Sequence, residues 1–222
     1  MMKNLTKDKS KIIENYFDEI LPNVGCELNY NKDYELLLAV MLSAQTSDIA
    51  VNNVTKVLFS KFDSLEKIHQ AKLEEIESII KPIGLYKNKA KNIKLIVDKL
   101  INDFNGILPS KKEDLETFPG VGNKTACVVR AEIFKINEFP VDTHVLRISK
   151  RLNIANSKDK PIDAERKLKK FFDEKSWIKL HHQFIHFGRQ ICYAKSPKCD
   201  CCKLTKFCNY FLDSNNKSKA SK

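Results

Sequence analysis

The sequence predicts an all-α protein. Apolar residues recur at three- and four-residue intervals along most of the chain, and no segment alternates convincingly with a period of two. Proline and glycine punctuate the periodic stretches. With 222 residues and 42% hydrophobic content, the chain can bury one sizeable core or two small ones.

The elements follow in order. Residues 1–21 read as a basic strip merging into a helix, with Ile12, Ile13, Tyr16, Phe17 and Ile20 on one stripe and Pro22 and Gly25 ending it. Glu35 to Leu42 begins a strongly apolar helix, and Val51, Val54, Leu58 and Phe59 predict another after the polar Ser43–Asp48 stretch, with Asp48 as its cap. Leu65 to Ile80 supplies short amphipathic helices. A Pro82-Ile-Gly84 turn leads to a helix from about Lys89, whose Ile93, Ile96, Val97, Leu100 and Ile101 face one way. Lys87, Lys89, Lys91 and Lys94 read either as a DNA-facing surface or as a solvated face. Ser110 is placed to cap a short helix that Glu113 supports, and a second helix starts close to Asn123. After Pro140 three further apolar stripes follow, ending with Leu180, Phe184 and Phe187, and the polar residues 213–222 are expected to be a disordered tail.

Charge narrows the class. Thirty-nine basic against 28 acidic residues give a formal +11, which favours a polyanionic partner. Arg130, Arg147, Arg151, Arg166 and Arg189 are the only arginines, so part of that excess reflects a Lys- and Asn-rich composition rather than a binding face. The longest apolar stretch is too short to cross a bilayer and the first 20 residues hold no secretory core, so no membrane is expected and the address is cytoplasmic.

Between two helical segments lies Phe118-Pro-Gly-Val-Gly-Asn-Lys-Thr-Ala126. Gly120 and Gly122 permit a tight turn and close approach by another surface, while Val121 can plug back into the helix pair. The amides at the start of the second helix, beside its positive dipole end, suit a phosphate. Thr125 is either a further phosphate donor or a helix-start residue.

Lys124 sits at the mouth of that helix, where a cation gains nothing from the dipole. An ordinary lysine is almost wholly protonated at neutral pH, so placing one here suggests a nucleophile whose surroundings favour the free amine. Eighteen residues later, Phe139-Pro-Val-Asp-Thr-His144 places Asp142 as an N-cap, a setting that keeps a carboxylate anionic. Such a pair can act on a deoxyribose: the amine attacks C1′ and the anion balances charge or takes up a proton. His144 orients Asp142, touches a phosphate, or is structural. An enzyme working on a base-bearing sugar must first expose it. Gln45 and Leu85 are candidates to fill the gap, by amide and by apolar wedge, although in isolation they read as a loop-capping and a core residue.

Cys192-x6-Cys199-x2-Cys202-x5-Cys208 is the most specific pattern. Four thiolates in a short polar loop ligate either a [4Fe–4S] cluster or structural zinc, and the spacing alone does not decide. Cys201 is spare. Lys195, Lys198, Lys203 and Lys206 interleave with the ligands as a basic patch suited to phosphates. His181, His182 and His186 read as packing residues rather than ligands.

Together, Leu42-Ser-Ala-Gln45, Ile83-Gly-Leu-Tyr86, Pro119-Gly-Val-Gly-Asn-Lys-Thr-Ala126, Val141-Asp-Thr-His144, His181-His182, Gly188-Arg189 and the four cysteines resemble the endonuclease III family of helix-hairpin-helix DNA glycosylases with AP lyase activity. The resemblance covers roughly residues 10–210. It implies two helical domains flanking a DNA-binding cleft: a six-helix domain over about 26–136, and a second domain of residues 1–25 and 137–212 around a [4Fe–4S] cluster. It implies Lys124 as nucleophile, Asp142 as its electrostatic partner, Gln45 and Leu85 as gap fillers, and Cys192, Cys199, Cys202 and Cys208 as ligands. Oxidised or ring-fragmented pyrimidines in double-stranded DNA are the implied lesions, and the implied enzyme is a monomer at the chromosome. Phe118, Cys127 and Arg130 depart from the family pattern, in which Leu, Asn and an apolar residue are usual.

Overall fold

The computed structural model describes the backbone of residues 2–220 and the side chains of residues 7–214. Among the described residues every regular element is helical: α1 (Met2–Ile20), α2 (Asp33–Leu42), α3 (Asp48–Lys61), α4 (Leu65–Gln70), α5 (Leu73–Ile80), α6 (Tyr86–Phe104), α7 (Lys112–Glu116), α8 (Asn123–Phe134), α9 (Thr143–Arg151), α10 (Pro161–Phe171), α11 (Trp177–Gln190) and α12 (Asn209–Ala220). None is long and apolar enough to cross a membrane. The chain divides into two compact units, Cys26–Ile136 and Met1–Gly25 with Asn137–Lys222.

The unit Cys26–Ile136 is built around α2. Leu36 to Leu42 are all buried, as a helix apolar on every side must be. Glu35 is buried with them because its Oε2 accepts from the Asn31 and Lys32 amides at 2.7 and 3.2 Å, fastening the helix start. Seven helices rather than six lie in this unit among the described residues. Ala71 and Lys72 are extended and separate α4 from α5 within the Leu65–Ile80 stretch, where short helices are expected.

Two expected caps shift by one residue. Ser47, not Asp48, caps α3, its Oγ accepting from Ala50 N at 3.3 Å. Lys111, not Ser110, precedes α7, being the extended residue whose carbonyl receives Leu115 N at 3.1 Å. Lys94 also leaves the solvated face expected for it: its ammonium donates to the carbonyls of Ile68, His69 and Ala71 at the end of α4. There a cation meets the negative end of a helix.

The second unit has an aromatic core. Phe17 of α1 meets Phe184 edge-on at 5.1 Å and Phe187 at 5.0 Å, both on α11, and Phe139 lies near Phe172 and Phe184. Such pairs add about 0.5–1.5 kcal/mol beyond the area they bury. Where a disordered tail is expected from residue 213, the backbone stays helical to Ala220, with Ser214 Oγ donating to Tyr210 O at 2.7 Å. Residues 221–222 lie outside the described residues.

Beside that core, Lys169 Nζ pairs with Glu138 at 2.6 Å and Glu165 at 2.8 Å, two carboxylates only 6% and 5% exposed. Burial opposes the charge on Lys169, but bonds from both glutamates outweigh it and raise its pKa. A raised lysine pKa contributes stability that persists through neutral pH and is lost only as pH climbs through the folded value. Lys169→Met is therefore expected to cost on the order of 2–3 kcal/mol, below the usual figure for a fully buried pair because the lysine keeps partial exposure. Thermal denaturation followed by circular dichroism should register a Tm lower by about 4–12 °C; an unchanged Tm would mean that the ion group is neutral for stability.

Candidate functional site

The hairpin between α7 and α8 is pinned from inside. Phe118 and Val121 are buried, and Val121 N donates to Phe118 O at 3.0 Å, so the valine does plug the turn. Gly120 sits at φ +78°, and a Cβ there would lie 2.7 Å from Asn92 Nδ2 and 3.2 Å from Met41 Cγ. Conformation and packing both demand glycine. Gly122 differs: its φ of −106° suits any residue, and nothing lies within 4 Å of an added Cβ. Its bare face leaves room only for something outside the protein. Gly122 is also the N-cap of α8 and offers no capping side chain, so it does not itself cover the first-turn amides of that helix.

Lys124 and Thr125 occupy that first turn, both half-buried, while Ala126 and Cys127 turn into the core. The thiol of Cys26 shares the neighbourhood of Lys124, Asp48 and Glu132. Burial first, then the two carboxylates, push its pKa up to about 11, against the opposing effects of the Leu28 amide and Lys124. Asp48 and Lys124 thus both act on the Cys26 thiol, with opposite sign.

Gln45 and Leu85 are both exposed, Leu85 to 60%, and both stand in the left-handed region at φ +55° and +57°. Leu85 is the N-cap of α6. It is not the core residue its side chain alone suggests. Lys89, expected on the exposed lysine face, is instead 5% exposed, and its ammonium donates to Ala44 O at 2.9 Å and Thr46 Oγ1 at 2.8 Å. Lys87 and Lys91 do remain exposed.

In the other unit, Asp142 caps α9, its Oδ1 accepting from Val145 N at 2.8 Å. His144 follows in the first turn, with Arg147 Nη2 3.1 Å from its Nδ1. Burial holds the His144 pKa below its ordinary value, aided by Arg147 and Arg189 and opposed by Asp142. Arginine cannot give up its proton, so this contact is a hydrogen bond only in the tautomer whose Nδ1 carries no hydrogen. Gly188 of α11 is needed here, because a Cβ would lie 2.7 Å from His144 Nδ1. His181 and His182 are buried and His181 Nδ1 lies 2.8 Å from Pro140 O, a packing role.

Cys192, Cys199, Cys202 and Cys208 line one small cavity of ≈ 20 Å³ together with Tyr210 and Phe211; Cys201 is not among its walls and donates instead to Lys198 O at 3.3 Å. Tetrahedral zinc with Zn–S bonds near 2.3 Å draws its sulfurs to about 3.8 Å from one another. Among the described residues no three of these sulfurs come within 4.8 Å of one another. Burial, then the neighbouring thiols, raises the Cys199 pKa; burial chiefly pushes Cys202 up to about 11, and the neighbouring thiols add to it. Both shifts disfavour the thiolate form. Lys195 and Lys198 are exposed on the same loop, whereas Lys203 is paired with Glu19 at 2.5 Å.

Two arginines that sequence reasoning passed over hold this loop. Arg147 Nη2 donates to Gly188 O at 3.1 Å and Cys192 O at 2.9 Å. Arg151 donates to Tyr193 O at 2.7 Å, Ala194 O at 2.9 Å and Cys192 Sγ at 3.2 Å. Their four-residue spacing on a short helix, in a chain with five arginines, was the available signal.

The profile of the HhH-GPD superfamily base excision DNA repair proteins matches residues 38–174. Endonuclease III of Bacillus subtilis (strain 168) is 43% identical over 190 residues, covering 86% of this chain and 87% of its own. Endonuclease III of Rickettsia felis is 41% identical, covering 91% of this chain and 94% of its own. A solved structure of a trapped endonuclease III–DNA covalent intermediate, an estranged-adenine complex, matches with a TM-score of 0.90 at 39% identity, covering 94% of this chain and 98% of that one. Similar in sequence and in backbone along nearly its whole length to endonuclease III, this chain belongs to the HhH-GPD superfamily of base excision DNA repair proteins.

Proposed function

We propose that this protein is a bifunctional DNA glycosylase and AP lyase that removes oxidised or ring-fragmented pyrimidines from double-stranded DNA, as a monomer working at the chromosome in the cytoplasm. One observation carries the reading: a half-buried lysine in the first turn of α8, directly after an outward-facing glycine hairpin, in a chain 39% identical to a protein trapped covalently on DNA.

The residues suit the steps. The Lys124 amine attacks C1′ and the glycosidic bond breaks, its electron pair leaving with the base, which takes up a proton. Asp142, held by its bond to Val145 N, stays oriented as an anion that steadies the electron-poor sugar. Opening of the sugar leaves a Schiff base between Lys124 and C1′. Loss of a C2′ proton then expels the 3′ phosphate, and water releases the lysine. Gly120, Gly122 and Thr125 hold a phosphate on the amides of α8, with His144, Lys195 and Lys198 as further backbone contacts. Gln45 and Leu85 enter the space that the extruded nucleotide leaves. Cys192, Cys199, Cys202 and Cys208 hold a [4Fe–4S] cluster, which stabilises a polar loop that has little core of its own.

Borohydride trapping on a duplex with one oxidised pyrimidine tests the chemistry. Wild-type protein should form a covalent adduct and Lys124→Ala none; equal capture by the variant would falsify the assignment. In the same assay Asp142→Asn separates charge from capping, because asparagine caps a helix about as well as aspartate. We expect a Tm close to wild type and base release slowed by about 10²–10³-fold.

The two hairpin glycines should divide. Gly120→Ala is expected to lower Tm through its positive φ and the Asn92 contact, whereas Gly122→Ala should leave Tm within a few degrees yet weaken binding to undamaged duplex by about tenfold or more. Loss of stability without loss of affinity at Gly122 would contradict the phosphate reading.

Protein purified without oxygen should be yellow-brown and contain iron and acid-labile sulfide in equal amounts. A colourless, zinc-loaded protein of full activity would refute the cluster.

A further inference from the structure

Lys89 is buried where its sequence pattern places it on an exposed lysine face. Its ammonium does not meet a carboxylate at bonding distance; it grips the carbonyl of Ala44 at 2.9 Å and the hydroxyl of Thr46 at 2.8 Å. Those are the residues immediately before and after Gln45. Between them the backbone is left-handed, at φ +55°, a conformation that a non-glycine side chain keeps only where its surroundings over-determine it. Thr46 N–H also donates to Ser43 O at 3.1 Å, so the loop is closed locally as well as from α6.

The other end of Lys89 belongs to a second exposed loop. Its backbone amide donates to Leu85 O at 3.0 Å, the first bond of α6, and Leu85 is itself left-handed at φ +57° with 60% of its side chain exposed. One residue therefore bonds Leu85 by its main chain and the two neighbours of Gln45 by its side chain. At 5% exposure it cannot serve as a phosphate contact, unlike its neighbours Lys87 and Lys91. Burial lowers its pKa, yet either protonation state retains hydrogens to donate.

We propose that Lys89 is a positioning residue that sets the spacing of Gln45 and Leu85, so that the two enter a duplex as one rigid pair. The inference rests on the reading of those two residues as gap fillers and says what holds them in register. Rigid placement matters because an error of about 1 Å in a positioning group can cost on the order of 10²-fold in rate. Its consequence is selective: the clamp serves extrusion of a paired nucleotide and has nothing to do once no partner strand is present.

The test compares two substrates on the full protein: a duplex carrying one oxidised pyrimidine, and a single-stranded oligonucleotide carrying one abasic site, which Lys124 can cleave without extruding anything. Lys89→Met should lower kcat/KM on the duplex by about 10–100-fold and change cleavage of the single strand by less than about threefold. Thr46→Val, on the half-buried loop, removes one of the two acceptors and keeps the test alive if Lys89→Met folds poorly; it should show the same selectivity at smaller size. Hydrogen exchange at the Thr46 amide should quicken in both variants. An equal fall on both substrates, or no fall on the duplex, overturns the clamp. Gln45→Ala and Leu85→Ala run alongside. If they impair the duplex selectively while Lys89→Met and Thr46→Val do not, the gap-filling reading stands and the clamp is wrong. If they show no selectivity, the gap-filling reading itself fails and the clamp falls with it.

Discussion

A helix that is apolar on every side has to be enclosed, and in the unit Cys26–Ile136 that demand comes from α2. Leu36 to Leu42 have no face that tolerates water, so α3, α6 and α8 are drawn around them. The same helix also shapes the functional surface. Met41, in its last turn, forms part of the floor on which bare Gly120 rests, and the chain leaving its C-terminus becomes the loop that carries Gln45. Against it lies α6, with Leu85 at its N-cap, Lys89 gripping the Gln45 loop and Asn92, one turn on, under the hairpin. Three exposed segments far apart in sequence are thus registered from one buried helix and the first two turns of its neighbour.

The other unit solves a different problem with the same economy of parts. Helix α9 begins at the Asp142 cap and ends in Arg147 and Arg151, whose guanidinium groups hold the carbonyls at the start of the cysteine loop. A loop of this polarity cannot collapse on its own side chains. Its entrance is held by two arginines from a helix whose other end orients the aspartate, and its interior is lined by four cysteines, the proposed metal ligands. Gly188 lets α11 come close enough for Arg147 to reach both His144 and the loop.

Much of this was legible in the sequence because it rests on periodicity and on rare residues. The three- and four-residue apolar recurrence gave the helices, and Val121 between two glycines, Asp142 before a helix and four spaced cysteines each announced a role that depends on local geometry. What the sequence concealed was the destination of long side chains. A lysine on a polar helix face looks the same whether its ammonium ends in water, as at Lys91, on the carbonyls of another helix, as at Lys94, or in the interior, as at Lys89. Flexible four-carbon stems let the charge choose its partner only after the helices are packed. The caps at Ser47 and Lys111 shifted for a smaller reason, since neighbouring residues compete for the same terminus and backbone angles decide. The helix over Asn209–Ala220 was hidden because its polar composition carries no apolar stripe.

Left-handed residues separate structural need from display. Gln45, Leu85, Asn105, Lys135, Asn153 and Ser196 all have positive φ without being glycine. Asn105 and Lys135 are the C-caps of α6 and α8, where a left-handed residue ends a helix and recovers its last carbonyls. No such return exists at Leu85, which opens a helix rather than closing one, or at Gln45, three residues beyond the end of α2. Each costs about 1–2 kcal/mol of backbone energy, and Leu85 forgoes most of the burial that a leucine normally gains. A free protein would do better with glycine at both places. The two strained positions are tolerated because the enclosed core around α2 is stable enough to carry them, and the proposed gap-filling role would supply what they lack, an apolar stack for one and unpaired hydrogen-bonding groups for the other.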